Sequence, residues 1–413
     1  MHHLNTLGWA AILMALALSC SKTSDIPDPE DGLPPFPKAA HEISRVPLTR
    51  AETEFVQAGN TFAWKLTKEV WESSDKKSLI LSPLSVQYAL GMLGNGADAD
   101  ISARLDDVLG YEGKEAVNEF CAKLIETLPQ VDTSVTLALA DGVLVNDRFK
   151  LKAPFRSAVQ TYYDALVESM SFSDPKAVMK YVNDWCSKHT YGRIQDVLRE
   201  VNPAAIMYIM NAIFFHADWS IPFDKAATRD ENFRKFSGGT GKVGMMHRTL
   251  DIFYGENDFG QVVSLPYGNG KFCLTVFLPK KSDGLASIPD SKVLPRLGEY
   301  CHVILSLPRF KTESSLEMKD LLTGMGLPVG PYTELVENDS AAISKIIHKA
   351  NITVNETGTE AAAVTVIEMK YTSAGPMEPE MRTVTFTADR PFLYTISEAT
   401  SGVILFTGVF TGE

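Results

Sequence analysis

The stretch Val354-Asn-Glu-Thr-Gly-Thr-Glu-Ala-Ala-Ala-Val-Thr-Val-Ile-Glu-Met-Lys-Tyr-Thr-Ser-Ala-Gly-Pro376 opens polar, passes a glycine and three alanines, and turns apolar without a settled period. Glu360-Ala361-Ala362-Ala363 favours a helix on propensity. Val364-Thr365-Val366-Ile367 is β-branched and favours a strand. Read as a strand, Thr359, Ala361, Ala363, Thr365, Ile367 and Met369 share one face, all small or apolar. Glu360, Ala362, Val364, Val366, Glu368 and Lys370 make the other, which carries the charges. No proline interrupts Gly358 to Gly375, as a central strand requires, and Gly375-Pro376 then stops the run. Composition alone allows a surface loop or short helix equally well, so the rest of the chain has to decide.

The whole chain has 413 residues, 45% hydrophobic and 22% charged, an ordinary balance for a folded protein. With 39 basic against 51 acidic residues the net charge is −12, and no Lys/Arg cluster stands out. That disfavours a nucleic-acid or heparin-type partner. The five cysteines are far apart, with no Cys-x-x-Cys and no histidines at metal-ligand spacing. Cys121, Cys186 and Cys273 fall in apolar-periodic segments and read as buried free thiols. Leu7 to Leu18 has the length of a signal peptide's apolar region. The following Ala17-Leu18-Ser19-Cys20 resembles a bacterial lipoprotein cleavage box, with Cys20 as the lipidated residue. Residues 1–20 are therefore expected as a lipoprotein-type signal, plain secretion being the alternative, and proline-rich residues 21–48 as a flexible tether.

From residue 49 onward the signals are those of one large domain. Thr49-Arg-Ala-Glu52 has capping-box spacing, and Phe55, Phe62, Leu66 and Val70 continue a helix to about Trp71. Leu79-Ile-Leu is a short strand, and Ser82-Pro83 opens an apolar helix through Leu93. Thr133 to Val145 reads as a strand. Asp174-Pro175 caps a helix with Val178, Tyr181, Val182 and Trp185 on one stripe. Ala204 to Phe215 reads as a strand covered on both faces, interrupted by a single polar residue, Asn211. Strands follow at Gln261–Leu265, Phe272–Leu278 and His302–Leu307, a helix at Leu316–Met325, and a closing hairpin of Phe392–Ile396 with Val403–Val409. Helices early and strands late, without βαβ alternation, indicate an α+β fold in a single domain over 49–413.

Catalytic constellations are missing. The chain has no Gly-x-Ser-x-Gly, no His-Glu-x-x-His and no phosphate loop, and Gly91, Gly94 and Gly96 follow a helix rather than open one. His348 and His216 lie beside apolar segments and read as structural imidazoles. The chain is read as no enzyme, with no cofactor and no metal.

Against this background the opening stretch becomes recognisable. Val354-Asn-Glu-Thr-Gly-Thr-Glu-Ala-Ala-Ala resembles the reactive-centre-loop hinge of the serpin family. Phe386-Thr-Ala-Asp-Arg-Pro-Phe-Leu-Tyr-Thr-Ile396 resembles the signature after that loop, and Ile404-Leu-Phe-Thr-Gly408 the terminal strand. Separate matches lie upstream at Leu79–Val86, at Val182-Asn-Asp-Trp185 with Thr190-Tyr-Gly-Arg-Ile194, and at Met210–Phe215 with Trp219. The resemblance spans about residues 50 to 413. It implies a main mixed β-sheet, two smaller sheets, eight or nine helices and an exposed reactive loop.

By similarity, Ser82, Ser85, Asn211 and His348 match the polar shutter under the main sheet. Trp219, Arg309 and Glu356 match the breach, where the loop enters, with an Arg–carboxylate pair expected to be bidentate. The loop hinge comprises Glu356, Gly358, Thr359, Glu360, Ala361, Ala362 and Ala363. The resemblance implies a suicide-substrate inhibitor of serine proteases, extending to papain-like cysteine proteases. Cleavage would free the loop to insert as a central strand and trap the acyl-enzyme. Counting along the hinge from Glu356 puts the bond between Thr372 and Ser373, suiting elastase-like targets. Slippage would present Tyr371 to chymotrypsin- or subtilisin-like enzymes, or Lys370 to trypsin-like ones. The chain departs from the family at Thr357, commonly acidic, at Val364, commonly alanine, and in a longer run from Thr372 to Pro391. A non-inhibitory serpin acting as a binding module is the alternative. A monomer at the cell envelope, held there only by its lipid, or secreted, completes the expectation.

Overall fold

The computed structural model describes residues 42–359 and 381–413 apart from residues 112, 282, 339 and 344. Cys20, Glu360, Ala361, Ala362, Ala363, Lys370, Tyr371, Thr372 and Ser373 lie outside the described residues.

Among the described residues seven α-helices form, against the eight or nine expected, most of them where a side chain can satisfy the free N–H groups of a first turn. α1 (Arg50–Ser73) starts with the expected capping box: Thr49 Oγ1 accepts from the Glu52 N–H at 3.2 Å, and Glu52 Oε2 accepts from the Thr49 N–H at 2.6 Å. α2 (Pro83–Gly94) begins behind Ser82, whose hydroxyl accepts from the Ser85 N–H at 3.3 Å. α3 (Ala99–Leu109) is capped by Asp98 and ended by Gly110 at φ 71°, the left-handed turn glycine favours. α4 (Lys114–Thr127), α5 (Ala153–Tyr163) and α6 (Pro175–His189) follow, the last capped by Asp174 as expected, and α7 (Lys319–Gly324) comes late.

The strands in chain order are β1 (Leu79–Leu81), β2 (Thr136–Asn146), β3 (Leu166–Met170), β4 (Met207–Asp218) and β5 (Arg229–Arg234). Then come β6 (Thr240–Glu256), β7 (Gly260–Tyr267), β8 (Phe272–Pro279), β9 (Glu299–Pro308) and β10 (Phe310–Glu317). β11 (Ile347–Val354), β12 (Gly358–Thr359), β13 (Thr383–Thr387), β14 (Phe392–Glu398) and β15 (Ile404–Phe410) close the chain. One sheet has six strands in the order β10-β11-β12-β4-β2-β3. The other nine form a continuous array in which β6 joins two parts, pairing with β7 through Tyr254–Glu256 and with β9 through Met245–Tyr254. The two smaller sheets of the expectation thus run into each other through one long strand. The hydrophobic core lies between the sheets, and α2 bridges them by packing on both β4 and β15. Trp71, Tyr88, Tyr267 and Tyr394 are among its largest fully buried side chains.

Three expectations need adjusting. Leu316 ends strand β10 rather than starting a helix, because Phe310, Thr312 and Ser314 alternate inward and carry the chain on to Glu317; only Lys319–Gly324 turns helical. β4 is not covered evenly on both faces: its upper half is buried, whereas Met207, Tyr208, Ile209 and Asn211 are half-buried. The packed chain also reaches back before residue 49, with Val46 buried and the Ile43 N–H donating to Gln130 O at 2.9 Å. Cys121 and Cys186 are buried free thiols, as expected, and burial pushes each up to about 12. No helix of the described residues is long and apolar enough to cross a membrane.

Candidate functional site

The six-stranded sheet contains an asymmetry at its centre. β11 and β4 run parallel with β12 antiparallel between them, and the described part of β12 is two residues long. Thr359 faces Val354 on one side and Ala217 on the other. Below that level β11 and β4 share no ladder among the described residues. A cleft of about 350 Å³ opens there, lined by Ser85, Leu90, Met210, Asn211, Ile346 and His348 among others.

At the upper end the chain is clasped by hydrogen bonds. Asn355 Oδ1 accepts from the N–H groups of Thr357 and Gly358 at 3.0 and 3.2 Å and from the Thr357 hydroxyl at 2.8 Å, folding the turn into β12. The Trp219 N–H donates to Thr357 O and the Phe223 N–H to Glu356 O, both at 2.8 Å. The Trp219 indole N–H donates to Asn355 O at 2.8 Å, and its ring stacks on Tyr267 at 4.4 Å between centroids. The Tyr267 hydroxyl lies 2.5 Å from Thr359 Oγ1. Gly358 has to be glycine for steric reasons, since a Cβ there would sit 2.1 Å from Ala217 O.

The expected bidentate pair is absent. Arg309 Nη1 is 3.9 Å from a single oxygen of Glu356, a loose contact. Two forces hold these residues elsewhere: Arg309 donates its N–H to Gly244 O at 2.9 Å and lays its side chain over Gly244, while Glu356 is anchored by its own carbonyl. The turn's backbone bonds, rather than the ion pair, fix this corner.

At the middle of the cleft the four polar residues expected under the sheet do meet. The Ser82 N–H donates to His348 Nε2 at 3.1 Å, and the Ser82 hydroxyl to Leu405 O at 2.9 Å. The Ser85 hydroxyl donates to Asn211 Oδ1. Burial lowers His348 to about 4, so the ring is neutral and its Nε2 accepts. The cluster also contains a residue that the sequence reading passed over. Asn211 Nδ2 donates to Asp141 Oδ1 at 2.6 Å, and the two residues face each other across β2 and β4. Asp141 is an acid in the otherwise apolar run Leu137–Val145, the same signal that singled out Asn211. Tyr267 and Asn355 were likewise missed: their roles depend on partners far away in sequence. Among the described residues no group of acidic, His or Cys side chains could hold a metal ion.

Comparison with known proteins finds matches over most of the chain. A family model described as Serpin (serine protease inhibitor) matches residues 57–412. An antitrypsin of Bombyx mori is 29% identical over 379 residues, covering 88% of this chain and 95% of that protein. A serpin-like protein of Thermococcus kodakarensis is 30% identical over 393 residues, covering 92% and 90%. Among solved structures, the serpin Serpin48 of the insect Tenebrio molitor superposes with a TM-score of 0.75 at 27% identity, covering 88% of this chain and 99% of that one. The thermophilic serpin tengpin in its native state gives 0.76 at 25% identity, covering 90% and 97%.

Proposed function

Because the chain belongs to the serpin family, described as serine protease inhibitors, we propose that it traps proteases as a suicide substrate rather than acting as an enzyme. A protease attacks the segment between Thr359 and Met381 and forms an acyl-enzyme. The freed strand then enters the sheet between β11 and β4. Serpin loop insertion is itself a standard instance of such strand addition and order change. The observation that carries the reading is the two-residue β12, already in register above a strand-wide opening.

That register says where the rest of the strand would go. Each step beyond Thr359 moves one residue back on both neighbours, so six steps bring Thr365 opposite Asn211 and His348. Thr365 would then complete a row from Asp141 through Asn211 to His348, joining the polar groups at the centre of the sheet. Thr359, Ala361 and Ala363 would face inward, and their small size lets the strand zip without repacking the core. About ten new ladder hydrogen bonds at about 1 kcal/mol each give a drive on the order of 10 kcal/mol. The kinetic trap that precedes it is the metastable native sheet.

The bond assigned is Thr372–Ser373, since Pro376 and Pro379 could not enter a central strand. Elastase-like enzymes are the first targets to try. Chymotrypsin- or subtilisin-like enzymes would be served by Tyr371, and trypsin-like ones by Lys370. The protein would act as a monomer, with papain-like cysteine proteases as further targets. Cys20 would carry the lipid that holds it at the cell envelope, which detergent phase partitioning of Cys20→Ser against the unaltered protein tests.

Incubation with elastase-, subtilisin- and trypsin-like enzymes should yield a complex that survives denaturant. The mass of the small C-terminal fragment released identifies the bond. Cleaved chain and fully active protease with every enzyme would sink the inhibitor reading and leave a non-inhibitory binding module.

A further inference from the structure

In the scheme so far Asp141 is only the far end of a polar row, yet it is an acid buried within the sheet. It is 4% exposed, and while Oδ1 takes the Asn211 amide proton, Oδ2 has no hydrogen-bond partner among the described residues. An amide has one accepting and one donating end, and Asp141 Oδ1 takes the donating end, as the carbonyl oxygen of a protonated carboxyl does. Asp141 thereby dictates which way Asn211 points, leaving the Asn211 oxygen to accept from Ser85 on α2.

Among the described residues no cation acts on this carboxyl. The groups around it are Asn211 of β4, the Tyr88 hydroxyl of α2, Cys121 of α4, Tyr163 of α5 and Asp164 just beyond α5. Burial pushes Tyr88, Cys121 and Tyr163 upward, so all three stay neutral near physiological pH. The Tyr88 hydroxyl also has no partner among the described residues. Burial raises Asp141 to about 7; the Asn211 hydrogen bond works against that rise and the neighbouring Asp164 adds to it. An ionised carboxylate buried without a counter-charge is costly, and parting the strands to let water reach it relieves the cost.

We infer that Asp141 is the positioning residue of the point where the sheet opens. It holds Asn211 in one orientation while protonated, and by ionising it loosens the β2–β4–α2 clasp, so that the sheet admits a new strand more readily in alkaline than in acid solution. This rests on the loop-insertion reading above, extending it to a proton-controlled step that involves none of the loop's own residues.

Two measurements on the intact protein between pH 5.5 and 8.5 test it: uptake of a synthetic peptide with the sequence Thr359–Thr372, and hydrogen-exchange protection of the β2 and β4 amides. The uptake rate should rise about tenfold across this range with a midpoint near neutrality, protection falling in parallel. Asp141→Asn should flatten both profiles, and Asp141→Glu should restore a pH dependence, which a merely structural role would not produce. An unchanged profile in Asp141→Asn overturns the proposal. Should that variant fail to fold, infrared titration of the unaltered protein decides instead: a protonated carboxyl band must vanish near neutral pH, and its absence throughout the range overturns the proposal equally. Failure of peptide uptake at every pH counts against loop insertion alone, because the exchange profiles still report on Asp141.

Discussion

The two ends of the gap between β11 and β4 are built on opposite principles. At the upper end, Asn355, Trp219, Phe223 and Tyr267 pair the turn and β12 at nearly every polar group, and Gly358 lets the backbones meet. At the middle, Asp141, Asn211 and His348 sit in one row with no strand pairing between β4 and β11 among the described residues, and one carboxyl oxygen has no partner among them. On the loop-insertion reading, the satisfied end sets the register before cleavage. The middle is where a further strand has most to gain, since the facing edges of β4 and β11 share no ladder there among the described residues. Insertion under this scheme starts where geometry is settled and proceeds toward where it is not.

The largest effect should come from destroying the settled end. Thr359→Arg puts a guanidinium where a 2% exposed hydroxyl meets Tyr267, at a cost of several kcal/mol. Gel assays of denaturant-resistant complex should then show a fall of more than about tenfold, with cleavage continuing. Complex formation at the normal level would mean that β12 is not the starting point.

The middle can be probed through pH. Folded Asp141 keeps its proton to about 7 against an ordinary 3.8, so its contribution to stability falls as pH rises between those values. Folded His348 refuses a proton down to about 4 against an ordinary 6.5, so its contribution rises with pH over that interval and is lost in acid. Between about pH 4 and 6.5 the two slopes oppose and cancel. Asp141→Asn should therefore uncover a rise with pH of up to about 1.4 kcal/mol per unit, and His348→Gln a fall of similar size. Urea midpoints measured across that window check both signs; parallel curves for the two variants would refute the pairing.

Trp219→Phe keeps a ring against Tyr267 but removes the donor to Asn355 O, which should cost about 1 to 2 kcal/mol in thermal unfolding. Arg309→Ala should be the mildest, within about 1 kcal/mol, because its contact with Glu356 is long and its side chain is 27% exposed. If Arg309→Ala proved more damaging than Trp219→Phe, the ion pair rather than the turn would be setting this corner.

Much of the site was legible because its signals are local or conspicuous. Ser82 stands before a proline at a helix start, and Asn211 is the polar exception in an apolar strand. Asp141 carried the same signal as Asn211 but in a run with more small residues, where an Asp-Gly pair reads as easily as a turn. The loose Arg309–Glu356 contact could not be read in advance, since it depends on where Gly244 of β6 lets the arginine lie. Leu316 reads as helix in the sequence because its neighbours suit either period, and only pairing with His348 commits it to β10.

By itself the sequence determined the caps, the α+β class, the small or apolar residues at alternate positions from 359 to 369 and the family, all of which depend on residue types at short spacing or in fixed order. The tertiary structure decided the rest: that Gly358 and Thr359 pair with β4 while Thr359 also pairs with β11, that Asp141 lies across from Asn211, and that Tyr267 reaches Thr359. Those facts depend on strand register, which joins residues scores of positions apart. A one-residue slip would turn every side chain to the opposite face, so only the packing of the whole sheet can choose among registers.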